Sequence, residues 1–258
     1  MQCMPGSGNV AFPGRERYNY FICTQEGLPV ITTILLDADD TLLDFRRAES
    51  EAIGAALTYL GVEPTPAIAA RYSAINQSQW ERLERREITR EQVLQNRFDI
   101  LFAELGVEQD SSRTQKVYES HLRRGGFLLP GALELLETLH GRYRLYLVSN
   151  GSGEIQDSRL EIAGICRYFD GIFISQRMGA DKPSPAFFEL CFSAIPDFRR
   201  EETIILGDSL TSDILGGINA GIATCWFNPK QKKARPDIRA DYEIRSLDEL
   251  PGLLDRLF

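Results

Sequence analysis

ITTILLDADDTL, residues 31–42, joins a short apolar run rich in β-branched side chains to a loop carrying Asp37, Asp39 and Asp40. An apolar run of this length that stops at polar breakers reads as a buried strand, and DADDT then lies at its carboxyl end. Comparable runs recur downstream: RLYLVS (144–149), GIFIS (171–175), TIILGD (203–208) and ATCWF (223–227), with DYEIRS (241–246) a weaker edge candidate. Helix-like segments at 131–140, 154–163, 184–194 and 211–219 alternate with them, each long enough for one crossover. Strands alternating with helices predict an α/β fold with a Rossmann-like parallel sheet.

One region breaks the alternation. Residues 45–124 show no strand pattern but four amphipathic ones, at 45–60, 67–86, 89–105 and 112–124. Thr89 followed three residues later by Gln92 has the form of a capping box. The expected organisation is therefore an α/β core from 31–44 and 125–258, with a helical insert over 45–124 placed after the first strand. Residues 1–30 are rich in Gly, Pro and Asn and periodic in neither sense, so they are expected to be a disordered appendage. Because no methionine follows Met4 until Met178, an artefact of gene calling is the competing expectation.

Composition narrows the chemistry. The 258 residues are 43% hydrophobic and 26% charged, which excludes disordered and collagen-like classes. A net charge of −8 and a pI near 5.0 argue against nucleic acid or an anionic membrane as partner and favour a small, metal-neutralised substrate. With only His121 and His140, a histidine metal site is out, and the five cysteines contain no C-x-x-C pair. Reduced thiols, no apolar run of membrane-spanning length and no signal-peptide core predict a cytoplasmic protein; a monomer or homodimer is the expected assembly.

In open α/β sheets, ligands bind beyond the carboxyl ends of the strands. Those ends carry Asp37, Asp39, Asp40 and Thr41; Ser149 and Asn150; Lys182; and Asp208, Ser209 and Asp213. Carboxylates gathered there repel one another unless a cation sits between them, and hard oxygen ligands without His or Cys select Mg²⁺. Magnesium recruits phosphate oxygens, so the cluster points to phosphoryl transfer. An aspartate can attack phosphorus itself, and Asp39 is spaced from Asp37 to serve as acid and then base. Ser149 suits the phosphoryl oxygens, and Asp208 with Asp213 suits the metal. Lys182, one of five lysines against 24 arginines and the one expected at this edge, supplies a point charge.

Blander readings stand beside these. DADDT and Ser149-Asn150-Gly151 have the form of turns and caps, and Lys182 that of a loop lysine. Gly216, Gly217 and Gly221 suit close packing and turning rather than a phosphate cradle. Trp80 and Phe98 suit packing, Lys230, Lys232 and Lys233 a solvated loop, His121 and His140 helix surfaces, and Cys191 and Cys225 inert buried thiols.

Taken together, DADDTL (37–42), Ser149, Lys182 and GDSLTSD (207–213) resemble, in order, the four motifs of the haloacid dehalogenase superfamily of aspartate-nucleophile phosphohydrolases. The resemblance implies Asp37 as nucleophile and metal ligand, and Asp39 as acid/base whose backbone carbonyl also touches Mg²⁺. It makes Asp208 a direct ligand and Asp213 an outer-shell or second-metal carboxylate, and the helical insert a C1 cap. Asp40 departs from the pattern, standing where many members carry Gly or Asn. SDILGGINAGIATCW (212–226) and the cap residues Asn76, Trp80, Ile88, Thr89, Arg97 and Phe98 are similar to the bacterial noncanonical pyrimidine 5′-nucleotidases. That likeness implies nucleoside monophosphates as small-molecule substrates, with Trp80 stacking on a base, Asn76 bonding its edge and Asn150 joining the substrate-binding set. Sugar-phosphate phosphatase or phosphomutase activity is the alternative, with 2-haloacid dehalogenation and a binding module behind it.

Overall fold

The computed structural model describes residues 30–257; apart from Val30, the expected appendage over 1–30 lies outside the described residues, as do Cys3 and Cys23. Six parallel strands, β1 (Thr33–Leu36), β2 (Arg144–Ser149), β3 (Gly171–Ile174), β4 (Thr203–Gly207), β5 (Ala223–Phe227) and β6 (Tyr242–Ile244), form one sheet in the order β3-β2-β1-β4-β5-β6. Leu36 stands beside Leu147 of β2 and Leu206 of β4, so the three central strands end level with one another. The chain winds from β1 toward β3 and then returns to the other side of β1, which makes the gap between β1 and β4 a topological switch point.

Alternation along each strand builds the two faces. Ile34, Leu36, Leu145, Leu147, Ile204 and Leu206 pack under α5 (Ala132–Leu139) and α10 (Glu249–Leu254). Leu35, Tyr146, Val148 and Ile205 face Phe187, Phe188 and Cys191 of α8 (Pro185–Ala194) on the other side. α6 (Gly153–Ala163), the single turn α7 (Ser175–Met178) and α9 (Leu215–Ala220) complete this part. Burial on both faces is what parallel strands require, and it explains their nearly continuous apolar runs. α7 and α10 went unforeseen in the sequence because a single turn and the Pro-containing ELPGLL carry too little helical period to stand out.

Between β1 and α5 lie α1 (Phe45–Tyr59), α2 (Pro66–Glu84), α3 (Arg90–Leu105) and α4 (Ser111–Leu122). Each starts on a side-chain cap: Asp44, Thr65 ahead of Pro66, Thr89 and Asp110 accept from backbone N–H groups of the first turn, and Thr89 with Gln92 makes the full capping box. Their apolar faces enclose Ile53, Leu57, Tyr72, Phe98, Leu101 and Tyr118. The chain leaves and re-enters the sheet side by side, since Asp44 N donates to Phe127 O at 2.8 Å and Leu129 N to Leu42 O at 2.9 Å. Among the described residues no helix is long and apolar enough to cross a membrane.

The expected helix over 211–219 is split. A π-helical turn, Leu210–Ile214, precedes α9, with Ile214 N donating to Ser209 O at 3.1 Å. The wide turn swings Asp213 back under the end of β4, where Gly207 makes room; a Cβ on Gly207 would sit 2.2 Å from the Asp213 carboxylate. Such turns interrupt helices most often where a side chain must be placed for function. Gly216 and Gly217 meet the packing role expected of them, because Cβ atoms there would approach Phe188 and Thr224 to 2.6 Å.

Candidate active site

The level strand ends bring Asp37, Ser149 and Asp208 to one edge, and the loop before α8 adds Lys182. Lys182 is 1% exposed, and its ammonium donates to Asp37 Oδ1 at 2.7 Å, Asp213 Oδ1 at 2.7 Å and the Val148 carbonyl at 2.8 Å. All three of its protons are used. Burial alone would pull its pKa down, but Asp213 and Asp37 outweigh that and leave it above the ordinary lysine range. Asp37 Oδ2 accepts from the Thr41 hydroxyl at 2.9 Å, and the same hydroxyl oxygen accepts from Asp208 N at 3.1 Å. Thr41 therefore ties the β1 loop to the β4 loop.

Asp37, Asp208 and Asp213 each present a carboxylate oxygen within 4.8 Å of the others. Desolvation, reinforced by Asp213, raises the Asp37 pKa well above the usual carboxylate range, with Lys182 opposing it. Burial likewise lifts Asp208 to about 7. Carboxylates whose ionisation burial opposes in this way describe a site short of positive charge, and an all-oxygen donor set fits a hard divalent cation. Asp213 Oδ2 is already held by Ser209 N at 3.0 Å, so this side chain is braced from both oxygens. Lys230, Lys232 and Lys233 are exposed, as expected of a solvated loop, but Lys232 does more than meet solvent: its ammonium donates to Asp208 Oδ2 at 3.2 Å. A three-lysine run reads as a solvated face, and nothing in it marks which member reaches a carboxylate.

Asp39 stands in the same pocket but turns away from Lys182. Its carboxylate is held by Arg159 and Gln156 of α6, and Gln156 also donates to Ser149 Oγ at 2.7 Å. Asp40 has φ +59°, the left-handed region that Gly, Asn and Asp tolerate best. Asn150 bridges loops: its amide nitrogen donates to Lys182 O at 2.9 Å and Ser212 Oγ at 3.2 Å, and its oxygen accepts from Lys182 N at 2.8 Å.

A cavity of about 190 Å³ runs from Asp37 and Ser149 up to Trp80, Leu94, Arg97 and Ile155. Trp80 is half-buried in its wall, beneath the Arg90 guanidinium at 5.3 Å. Asn76 does not line this cavity but a neighbouring groove. It is 2% exposed and spent on its own layer, donating to Glu49 Oε1 at 2.7 Å and accepting from Trp80 Nε1 at 3.1 Å and Arg97 Nη1 at 2.9 Å. Arg90 crosses from α3 to the sheet loops, donating to Ser175 Oγ at 2.6 Å, Asn150 O at 3.1 Å and Asp181. Burial lifts Glu84, at the end of α2, to about 7. Gln156, Arg159, Arg90 and Glu84 escape a sequence reading that looks only after strands, since all four lie within or at the ends of helices. The one available signal was a Gln and an Arg three residues apart in 154–163, a segment otherwise needed for packing.

A family model described as haloacid dehalogenase-like hydrolase matches residues 31–221. The chain is 39% identical to the HAD-hydrolase YfnB of Bacillus subtilis, whose crystal structure bound to magnesium reveals interdomain movement; that structure superposes with a TM-score of 0.84, covering 88% of this chain and 99% of that one. It is 38% identical to the pyrimidine 5′-nucleotidase PynA of Streptococcus pneumoniae, over 86% of this chain and 94% of the relative. The pyrimidine 5′-nucleotidase YjjG of Escherichia coli is 32% identical, over 86% of this chain and 96% of its own length. Solved 2-haloacid dehalogenases share the fold at lower identity, such as the Xanthobacter autotrophicus enzyme at 18% and a TM-score of 0.71.

Proposed function

The chain belongs to the haloacid dehalogenase-like hydrolase family and is a phosphoric monoester hydrolase, and from that premise we propose that it hydrolyses nucleoside 5′-monophosphates, pyrimidine ones first. Near full-length similarity to two pyrimidine 5′-nucleotidases is the observation that carries the substrate reading.

In this reading an oxygen of Asp37 attacks phosphorus and the bond from phosphorus to the 5′ oxygen breaks as that oxygen takes a proton from Asp39. Water then attacks the aspartyl phosphate, gives its proton to Asp39 and releases phosphate, restoring Asp37. Lys182 fixes Asp37 through Oδ1 and Thr41 through Oδ2, so the carboxylate cannot rotate out of line. Ser149, at the end of β2, offers its hydroxyl to phosphoryl oxygens. Mg²⁺, held by Asp37, Asp208 and the Asp39 carbonyl and braced by Asp213, would supply neutralisation of the phosphate charge. The helical layer over 45–124 acts as the cap: Trp80 and Arg97 wall the space for sugar and base, and Asn76 supports them from behind.

The test is phosphate release, with and without Mg²⁺, over a panel of nucleoside monophosphates and sugar phosphates. Metal-dependent preference for pyrimidine monophosphates is the expected outcome. A preference for sugar phosphates would keep the roles of Asp37 and Asp39 and discard the base reading.

A further inference from the structure

Arg159 is a large buried side chain whose placement stability does not explain. It is 1% exposed, yet its one carboxylate partner is Asp39, and its Nη2 has no hydrogen-bond partner among the described residues. Sinking a guanidinium into a fold and leaving one of its nitrogens unbonded is costly, and a buried pair of this kind is often no better than apolar packing. Its other contacts hold it rigid: Nε donates to Gly125 O at 3.1 Å, Nη1 donates to Gln156 Oε1 at 2.8 Å, and the guanidinium lies 5.5 Å from the Phe45 ring.

Gln156, one turn earlier on α6 and also 1% exposed, completes the arrangement. Its Nε2 donates to Asp39 Oδ2 at 2.7 Å while Arg159 Nη1 donates to Oδ1, so each oxygen of Asp39 has its own donor. The same Nε2 reaches Ser149 Oγ at 2.7 Å. Gly151 leaves the space: a Cβ there would come within 2.5 Å of the Gln156 side chain. Residues three apart on a helix share a face, and here that face is turned onto one carboxylate and one hydroxyl of the pocket.

We infer that Gln156 and Arg159 are positioning residues for proton transfer, fixing the direction from which Asp39 serves the leaving oxygen and then the attacking water. The inference rests on the reading of Asp39 as acid and base. Neither residue touches Asp37, so the nucleophile keeps its own supports, and loss of either donor frees Asp39 to turn about its side-chain bonds. Misplacement of a catalytic group by about 1 Å is enough to cost roughly 100-fold.

The leaving group separates this role from a merely structural one. Nitrophenolate leaves without a proton, whereas a nucleoside 5′ oxygen needs one. With p-nitrophenyl phosphate, Arg159→Met and Gln156→Met should release nitrophenol in a burst of about one equivalent per site and then turn over about 10- to 100-fold more slowly than wild type, the phosphoenzyme accumulating. With a nucleoside monophosphate the first step itself should slow by a similar factor. Gln156→Met leaves no buried charge behind and carries the test if Arg159→Met does not fold. Wild-type rates in both folded variants overturn the inference, as does an equal loss on both substrates with no burst. Phosphate release that survives Asp37→Asn removes the phosphoenzyme reading and the inference with it; intact Asp37 dependence with unaltered Gln156 and Arg159 variants removes the positioning role alone.

Discussion

Two regions of the molecule bury cations, and they do so in opposite ways. At the sheet edge, Lys182 is surrounded by acceptors and spends every proton on Asp37, Asp213 and a carbonyl. In the helical layer, Arg97 is 3% exposed and lies 4.8 Å from the Tyr118 ring centroid and 5.4 Å from that of Phe98; it bonds Asn76 and Gln115 and leaves Nε unpartnered among the described residues. The first arrangement compensates charge with charge, the second with amide oxygens and ring faces. Compensated charge at the ends of rigid strands suits chemistry that must not drift. An amide-lined network on helices suits a wall whose members can be exchanged without disturbing Asp37.

The contrast makes its strongest demand at Asp37. Asp37→Asn keeps the shape and the Thr41 bond but removes the oxygen proposed to attack phosphorus, and turnover should fall by at least ~10⁴-fold. Phosphate release together with circular dichroism checks it, and wild-type turnover from a folded variant would break the sheet-edge half of the comparison. Next comes Lys182→Met, which strands Asp37 and Asp213 as buried, unpaired carboxylates. Its urea unfolding at pH 8 without metal should show a loss of about 3–5 kcal/mol, the range for breaking a buried pair. The deficit should shrink at acid pH, where the stranded carboxylates take up protons; an equal deficit at both values would mean that packing, not charge, holds the lysine.

In the helical layer the effect should be smaller and of another kind. Asn76→Ala leaves Glu49 and Arg97 each short of a partner, for a loss of about 1–3 kcal/mol in stability. It should raise KM for nucleotides while leaving kcat for a small aryl phosphate near wild type. A kcat loss shared by both substrates would show that the two regions are not separable.

The remaining effect is on the pH dependence of the metal-free protein. Burial raises Asp208 to about 7 from an unfolded value of 3.8, so the folded state binds this proton more tightly than the unfolded one. Its contribution to stability is therefore complete below about pH 4 and is lost as pH rises through 7. Melting of wild type against Asp208→Asn between pH 5 and 8 should show the decline in the former and a flatter profile in the latter, with added Mg²⁺ removing the difference. Parallel profiles would place the proton elsewhere, Glu84 being the next carboxyl lifted to about 7.

What could be read from residues alone followed the same division. Asp37, Ser149 and Asp208 announce themselves because an apolar run ends on them, and a parallel sheet can only bring such ends together. Lys182 was legible as a rarity among arginines. The bond from Lys232 to Asp208 was not, since which carboxylate an exposed loop lysine reaches depends on the fold of the whole loop. Gln156 and Arg159 were hidden because their helix carries Ile155 and Leu160 for packing, and a polar side chain there reads as surface until the fold shows what covers it. Asn76 was legible as notable, but its partners Glu49 and Arg97 come from α1 and α3, a convergence that no local pattern records.

The paired backbone bonds between Asp44 and Phe127 and between Leu42 and Leu129 have a consequence for how such a molecule can change. Because the two ends of the helical insert are clasped together at the sheet, the sheet meets only a closed loop, whatever that loop contains. Each doubling of the inserted length adds only about 0.6 kcal/mol of closure entropy. The insert can thus lengthen, shorten or be exchanged between chains at little cost to the strands beneath, so that the helical layer is free to diversify while the strand ends stay as they were.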